Sequence, residues 1–261
     1  MDDCMLVPLF SGSKGNATLL SLRGTRLLID AGVSCRSLVA RLAEANVAPE
    51  TLSAVLVTHE HTDHIKGVGT FSRRYDLPVF ATEGTWNAMR DYLGDIAPEN
   101  VRVIRAGEDF YIDRVGVLPF EIPHDAAEPV GYALASGGAK LCVATDLGCV
   151  RDSWVRQIEG ADAVLLEANH DVEMLKCGRY PFALKRRILG RHGHLSNVDA
   201  GSVAARLAEN GVRRIILGHL SEENNFPELA FRTVQDALDD AGAAEAQLSV
   251  ALWHRGETNH A

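Results

Sequence analysis

An α/β fold in one domain is what this chain of 261 residues predicts. Short apolar runs alternate with amphipathic stretches along most of the length. No Pro-, Gly- or Ser-rich linker and no low-complexity tract divides them. A hydrophobic content of 46% against 23% charged residues is that of an ordinary soluble protein with a sizeable core.

The elements follow in chain order. Met5 to Leu9 opens a strand, and Ser11-Gly12-Ser13-Lys14-Gly15-Asn16 is a turn of small and polar residues. Ala17 to Leu22 and Thr25 to Ile29 form a hairpin around Arg23-Gly24, ended by Asp30-Ala31-Gly32. Ser34 can cap a helix through Leu38, Leu42 and Ala43. Ala54 to Thr58 is a buried strand, Val79 to Ala81 a short one, and Trp86 to Leu93 an amphipathic helix. Strands are then expected at Val101–Arg105, Phe110–Ile112, Val115–Ile122, Gly131–Ala135, Leu141–Thr145 and Ala163–Leu166. Helix Val198–Glu209, strand Arg214–Leu217, helix Glu228–Asp240 and strand Leu248–Leu252 complete the domain, 1–254. Residues 255–261 are a polar, frayed tail.

Composition excludes several classes. No run approaches the ~18 apolar residues of a membrane helix. The start Met1-Asp2-Asp3-Cys4 lacks the basic and apolar regions of a secretory signal, so a cytoplasmic location and no membrane partner are expected. Five cysteines without a C-x-x-C pair predict reduced thiols, not a disulfide framework. A net charge of −9 argues against general electrostatic capture of nucleic acid. The charge is uneven, however: Met174 to Val198 holds no acidic residue but includes Lys176, Arg179, Lys185, Arg186, Arg187 and Arg191. Such a run is either a solvated helix face or a phosphate-handling surface.

His59-Glu60-His61-Thr62-Asp63-His64 directly follows the Ala54–Thr58 strand. Imidazole and carboxylate are ligands of zinc, manganese and iron. His59 and His61 alternate and can project to one side, while Asp63 and His64 can reach a second ion. The spacing therefore suggests a two-metal site. His124, Asp146 and His219, each at or just beyond a predicted strand, can supply further ligands.

The H-x-H-x-D-H order resembles the signature of the metallo-β-lactamase superfamily, which implies a four-layer αββα sandwich. By that resemblance His59, His61 and His124 hold one ion and Asp63, His64 and His219 the other. Asp146 and a hydroxide lie between the ions, and Asp30 braces the histidine loop. Asp146, where antibiotic-hydrolysing enzymes have cysteine, looks like the dinuclear hydrolase branches. Glu167 and the Gly193-His194 phrase resemble the glutamate–histidine pair of transfer-RNA 3′-processing endonucleases. The pair implies His194 as general acid and Glu167 as the residue that orients it. Catalysis then rests on Asp63, His194 and Glu167.

Longer phrases spread over nearly the whole chain are similar to the bacterial YycJ/WalJ family. They are Ser11–Asn16, His59–Lys66 with Gly67, Pro123-His124-Asp125-Ala126 with Pro129-Val130-Gly131-Tyr132, Gly193–Asn197 and Gly218–Asn225. Lys14 stands where that family often has a small residue. The resemblance implies a 5′-to-3′ exonuclease on DNA rather than RNA, linked to DNA repair. Two divalent ions, zinc or manganese with iron also compatible, would serve as cofactors. Lys14, Asn16, Lys185, Arg186, Arg187 and Arg191 would contact substrate, and a homodimer would suit a small nuclease. The extra domain of larger ribonucleases in the superfamily is not expected. A small-molecule hydrolase of cyclic phosphodiesters, thioesters or lactones remains the alternative. A non-catalytic regulator or a di-iron oxygen reductase fits the residues less well.

Overall fold

A computed structural model describes residues 4–243 and 245–251. Thirteen strands run in chain order among the described residues: β1 Cys4–Phe10, β2 Ala17–Leu22, β3 Thr25–Ile29, β4 Ala54–Leu56, β5 Val79–Thr82, β6 Val101–Ile104, β7 Phe110–Ile112, β8 Val115–Glu121, β9 Val130–Ser136, β10 Ala139–Ala144, β11 Ala163–Glu167, β12 Arg214–Gly218 and β13 Gln247–Val250. The helices are α1 Cys35–Glu44, α2 Thr62–Ile65, α3 Val68–Tyr75, α4 Glu83–Leu93, α5 Asp152–Ile158, α6 Val172–Cys177, α7 Phe182–Ile188, α8 Asn197–Glu209 and α9 Pro227–Asp240. Strands β1 to β6 form one sheet in sequence order. The other sheet runs β13-β12-β11-β10-β9-β8-β7.

Alternation along the strands explains the layering. In β3, Leu27 and Ile29 face the space between the sheets, whereas Leu28 faces outward with Leu38 and Leu42 of α1 and Phe71 of α3. In β11, Ala163 and Leu165 point between the sheets, while Val164 and Leu166 pack with Trp154 of α5, Val203 of α8 and Val234 of α9. A strand buried on both faces reads as a continuous apolar run, as 163–166 and 215–217 do. Helices α1, α3 and α4 thus cover one sheet and α5, α8 and α9 the other, giving the four-layer αββα sandwich.

The parallel strands β3, β4, β10, β11 and β12 send their carboxyl ends toward the functional loops. Boundaries differ from expectation at informative places. The 54–58 run ends as a regular strand at Leu56; Val57 N–H still reaches the Phe80 carbonyl, and Thr58 N–H then turns to Asp30 Oδ1 at 2.8 Å. Helix α4 starts earlier than Trp86, since the Thr82 side chain caps it. Ser34 caps α1, its hydroxyl accepting from the Ser37 N–H at 3.1 Å. Helices α2, α3 and α5 were not foreseen, being short, and α6 and α7 lie largely in the basic run for which a solvated helix face was one of two readings. The end of the expected 248–252 strand and the 255–261 tail lie outside the described residues. All five cysteines are free. Among the described residues no helix is long and apolar enough to cross a membrane.

Candidate metal centre

The site is built where strands of both sheets end. Asp30 follows β3, Asp146 follows β10 and His219 follows β12, and all three adopt left-handed backbone, with φ of 60°, 61° and 54°. That conformation is strained for a residue with a Cβ and is retained where surrounding structure enforces it. Here it turns each side chain inward as its strand ends. The histidine loop lies on a backbone cradle: Asn16 N–H donates to Asp63 O, Ala31 N–H to His64 O and Gly32 N–H to Asn16 O, at 2.8, 2.9 and 2.8 Å. Position 32 must be glycine, because a Cβ there would sit 1.6 Å from the Asp63 carbonyl oxygen.

Two donor groups converge. His59 Nε2 and His124 Nε2 lie 3.0 and 3.3 Å from His61 Nδ1. Asp63 Oδ2 lies 3.6 Å from both His64 Nε2 and His219 Nε2. Asp146 sits between the groups, its Oδ1 3.7 Å from His124 Nε2 and 3.3 Å from His219 Nε2, its Oδ2 3.4 Å from His64 Nε2. His59–His61–His124 and Asp63–His64–His219 each gather their ligand atoms within 4.8 Å.

The remaining ring nitrogens are fixed from outside. His64 Nδ1 is 2.8 Å from Asp30 Oδ2, His59 Nδ1 3.0 Å from Thr58 Oγ1, His124 Nδ1 3.1 Å from the Gly193 carbonyl and His219 Nδ1 3.1 Å from Glu167 Oε1. Such outer contacts fix tautomer and orientation in metal-binding histidines. Inside the ring of donors, Asp146 Oδ2 and His219 Nε2 are buried without a hydrogen-bond partner. A buried imidazole nitrogen and a buried carboxylate oxygen without partners, among imidazole nitrogens that converge on one another, fit divalent cations.

The electrostatics divide along the same line. Burial drives His59 well below the usual imidazole range, with the rings of His64, His124 and His61 adding to it. His124 is lowered too, chiefly by burial. Burial also pulls on His64, but Asp146, Asp30 and Asp63 outweigh it and push the ring up to about 9. For His219 burial is likewise overcome, by Asp146, Asp63 and Glu167, and the ring is raised well above its ordinary value. Burial would raise Asp63, yet His64 and His219 hold it far below the carboxylate range. Without a cation, protons on His64 and His219 balance the acids.

Glu167, at the end of β11, is fully enclosed. Its Oε2 accepts from the N–H groups of Leu147 and Leu195 at 2.8 and 2.9 Å, and its Oε1 from His194 Nδ1 at 2.8 Å. Burial opposes its charge, but His194 and His219 keep it ionised far below its ordinary range. His194 is 17% exposed, and its Nδ1 is 3.8 Å from Asp146 Oδ1. Immediately after it, Ser196 and Asp199 form a reciprocal capping box that starts α8.

Two His-Leu-Ser phrases, His194-Leu195-Ser196 and His219-Leu220-Ser221, meet across one residue. Asn169 N–H donates to Leu195 O at 3.0 Å, and its carbonyl accepts from Ser221 N–H at 2.8 Å. The Asn169 side chain donates to His219 O at 2.9 Å.

The expected substrate-contacting residues fare differently. Asn16 is buried instead of exposed: its Nδ2 is 3.0 Å from His64 Nε2 and 3.3 Å from Asp63 Oδ2, and its Oδ1 accepts from Gly12 N–H. Its geometry is that of a residue positioning the histidine loop. Lys14 is exposed but paired with Glu222. Lys185 is spent on the Lys176 and Gly178 carbonyls, at 2.7 Å each. Arg187 grips Asp125, next to His124, through both its Nε and Nη2. Arg186 and Arg191 are exposed and have no carboxylate partner among the described residues. Thr58, Asn169, Asp125 and Ser11, whose hydroxyl accepts from His219 N–H at 2.8 Å, belong to the site but were not assigned from sequence. Asp125 and Ser11 lie inside phrases noted in the sequence without a role being given to them; Thr58 and Asn169 carry no separate signal.

A family profile described as "Beta-lactamase superfamily domain" matches residues 25–220. The chain is 43% identical over 234 residues to exodeoxyribonuclease YycJ of Bacillus anthracis, covering 90% of this chain and 89% of that one. It is 41% identical over 246 residues to exodeoxyribonuclease WalJ of Streptococcus pneumoniae, covering 94% and 90%. The metallo-beta-lactamase fold protein YhfI from Bacillus subtilis superposes with a TM-score of 0.73 over 96% of this chain and 97% of that one, at 15% identity, and so shares the fold. The chain belongs to the metallo-β-lactamase superfamily of metal-dependent hydrolases, in the branch that holds YycJ and WalJ.

Proposed function

We propose that this protein is a dinuclear phosphodiester hydrolase, a cytoplasmic 5′-to-3′ exonuclease acting on DNA. The observation that carries the proposal is the abutment of both donor groups on Asp146, with His194 beside the same carboxylate. His59, His61 and His124 would hold one ion, Asp63, His64 and His219 the other, with Asp146 serving both. Zinc and manganese suit these donors, and iron is compatible with them. When bound, a pair of such ions supplies Lewis-acid stabilisation of the phosphoryl group and lowers the pKa of water toward neutrality.

The chain's own part is orientation and proton transfer. Because Glu167 holds His194 Nδ1, the Nε2 atom is the one available to protonate a leaving oxygen. Glu167 Oε1, 2.8 Å from that Nδ1, fixes the orientation of the ring for the transfer. Asn16 donates its amide to Asp63 Oδ2 and lies against the His64 ring, which keeps both directed inward. Arg187, tied to Asp125, and the exposed Arg186 and Arg191, without a carboxylate partner among the described residues, offer guanidinium groups for a phosphate backbone. Support for DNA comes from the names of the two relatives, each called an exodeoxyribonuclease.

The test is metal titration of the stripped protein followed by turnover of bis(p-nitrophenyl) phosphate and of DNA. Activity rising to a plateau at two equivalents of Mn²⁺ or Zn²⁺, with DNA cleaved, is expected. Turnover of thioesters, lactones or cyclic phosphodiesters with DNA untouched would instead identify a small-molecule hydrolase.

A further inference from the structure

Helix α7 presents a face that the catalytic scheme does not use. Phe182, its first residue, is 78% exposed, and Leu189, its C-cap, is 47% exposed. Residues four and seven positions apart share a helix face, so Phe182, Arg186 and Leu189 form one outward stripe. The opposite side is anchored: Ile188 is buried, and Lys185 ties the helix to the end of α6. Phe182 is the most exposed large hydrophobic among the described residues, and it is set among exposed arginines. Arg179, Arg186 and Arg191 around it are exposed and have no carboxylate partner among the described residues.

The helix is fastened directly to the site. His194 N–H donates to the Ile188 carbonyl at 3.0 Å, and Arg187 reaches Asp125 beside His124. At 1.5 Å per residue, Phe182 lies about 9 Å along the helix from that junction, a span of two to three stacked nucleotides.

We propose that Phe182 is a stacking platform for an unpaired base of the nucleic-acid strand, with Arg186 and Arg191 carrying its backbone toward the metal centre. Aromatic rings interleaved with cations suit single strands, since every base offers a π-face, whereas a paired base inside a duplex is covered. A single-stranded or frayed 5′ end is therefore the form that the site accepts. The proposal rests on the nuclease function proposed above and adds the substrate's form and its contact.

The experiment uses the metal-loaded enzyme with cleavage-resistant phosphorothioate oligonucleotides carrying 2-aminopurine at each of the first four 5′ positions. Stacking on Phe182 is expected to quench 2-aminopurine at one or two adjacent positions. Phe182→Ala should remove that quenching and weaken single-strand binding about tenfold at every salt concentration, with Phe182→Trp restoring both. Arg186→Ala should instead flatten the salt dependence, because it releases fewer counterions. Thermal melting and metal content of each variant verify folding. If wild type binds and cleaves DNA while Phe182→Ala keeps its affinity and quenching, the stacking proposal alone is overturned. If wild type neither binds nor cleaves DNA, the nuclease function fails with it. Phe182-dependent binding to anionic vesicles, or Phe182-dependent dimerisation, with DNA affinity unchanged, would assign the face to a membrane or to a second copy and also overturn it.

Discussion

His194 and His219 lie stacked, ring centroids 5.2 Å apart and 19° between planes, and both direct Nδ1 at the same oxygen, Glu167 Oε1. One buried carboxylate therefore orients the proposed proton donor and a proposed metal ligand together. Four donors surround Glu167: two imidazoles at Oε1 and two backbone N–H groups at Oε2. No side remains for an amide NH₂. Glu167→Gln is accordingly expected to behave as a disruptive change. It should cost about 1–3 kcal/mol by setting donor against donor, and lower metal affinity about 10–100-fold through His219. Chemical melting and metal titration of the variant check both effects. Wild-type values in both would mean that Glu167 is not the shared acceptor.

His194 also lies within ligand distance of Asp146, Glu167 and His219, so His194→Ala, assayed together with metal content, separates a proton donor from a metal ligand. Turnover of DNA, a poor leaving group, should fall about 10²–10⁴-fold while metal content stays at wild-type level. A p-nitrophenyl phosphodiester, whose leaving group needs no proton, should lose far less. Equal losses on both substrates would point to a binding role for His194.

The raised His64 and His219 make metal loading a proton exchange. In the metal-free protein both rings are charged near neutral pH, with His64 pushed up to about 9. Loading at pH 7.5 is expected to release about two protons per chain, measured by calorimetry in buffers of different ionisation enthalpy. The same shift sets a pH dependence of stability. A ring whose folded pKa is raised contributes fully below its unfolded value of about 6.5 and loses that contribution as pH rises through its folded value. The melting temperature of metal-free protein should thus decline between pH 6.5 and 9, and this decline should vanish in the loaded protein. Loading without proton release would contradict the charge balance described for the site.

Asp30 supports the histidine loop by three contacts: its Oδ1 accepts from Thr58 N–H, and its Oδ2 faces Thr58 Oγ1 and His64 Nδ1, all at 2.8 Å. Asp30→Ala leaves a buried N–H and the His64 ring without their partner. A loss of about 3 kcal/mol or more is expected, together with weaker binding at the ion held by His64. Denaturant melts and metal titration of the variant measure it.

The sequence revealed local chemistry and concealed what is assembled across distance. His59 to His64 could be read because all the donors sit within six residues after an apolar strand. His124, Asp146 and His219 were found because each follows such a run. The layers came from period-two burial, as in Leu27, Leu28 and Ile29, only once the family resemblance supplied the sandwich. Ser11 was seen only as part of a turn, because its partner, His219, is 208 residues away. Asn16 was expected to contact substrate from a polar turn, but the turn folds beneath the histidine loop and buries it. The left-handed backbone of Asp30, Asp146 and His219 is imposed by the meeting of two sheets and has no signature within a strand's own residues.

The central claim is tested most directly by following 5′-phosphorylated, 3′-labelled DNA, single-stranded and duplex, with protein stripped and reloaded with Mn²⁺ or Zn²⁺ beside Asp63→Ala. A ladder that shortens stepwise from the 5′ end in the reloaded protein, absent in the variant and in the stripped protein, is the predicted result. Intact DNA with either metal, or an equal ladder from Asp63→Ala, would contradict it.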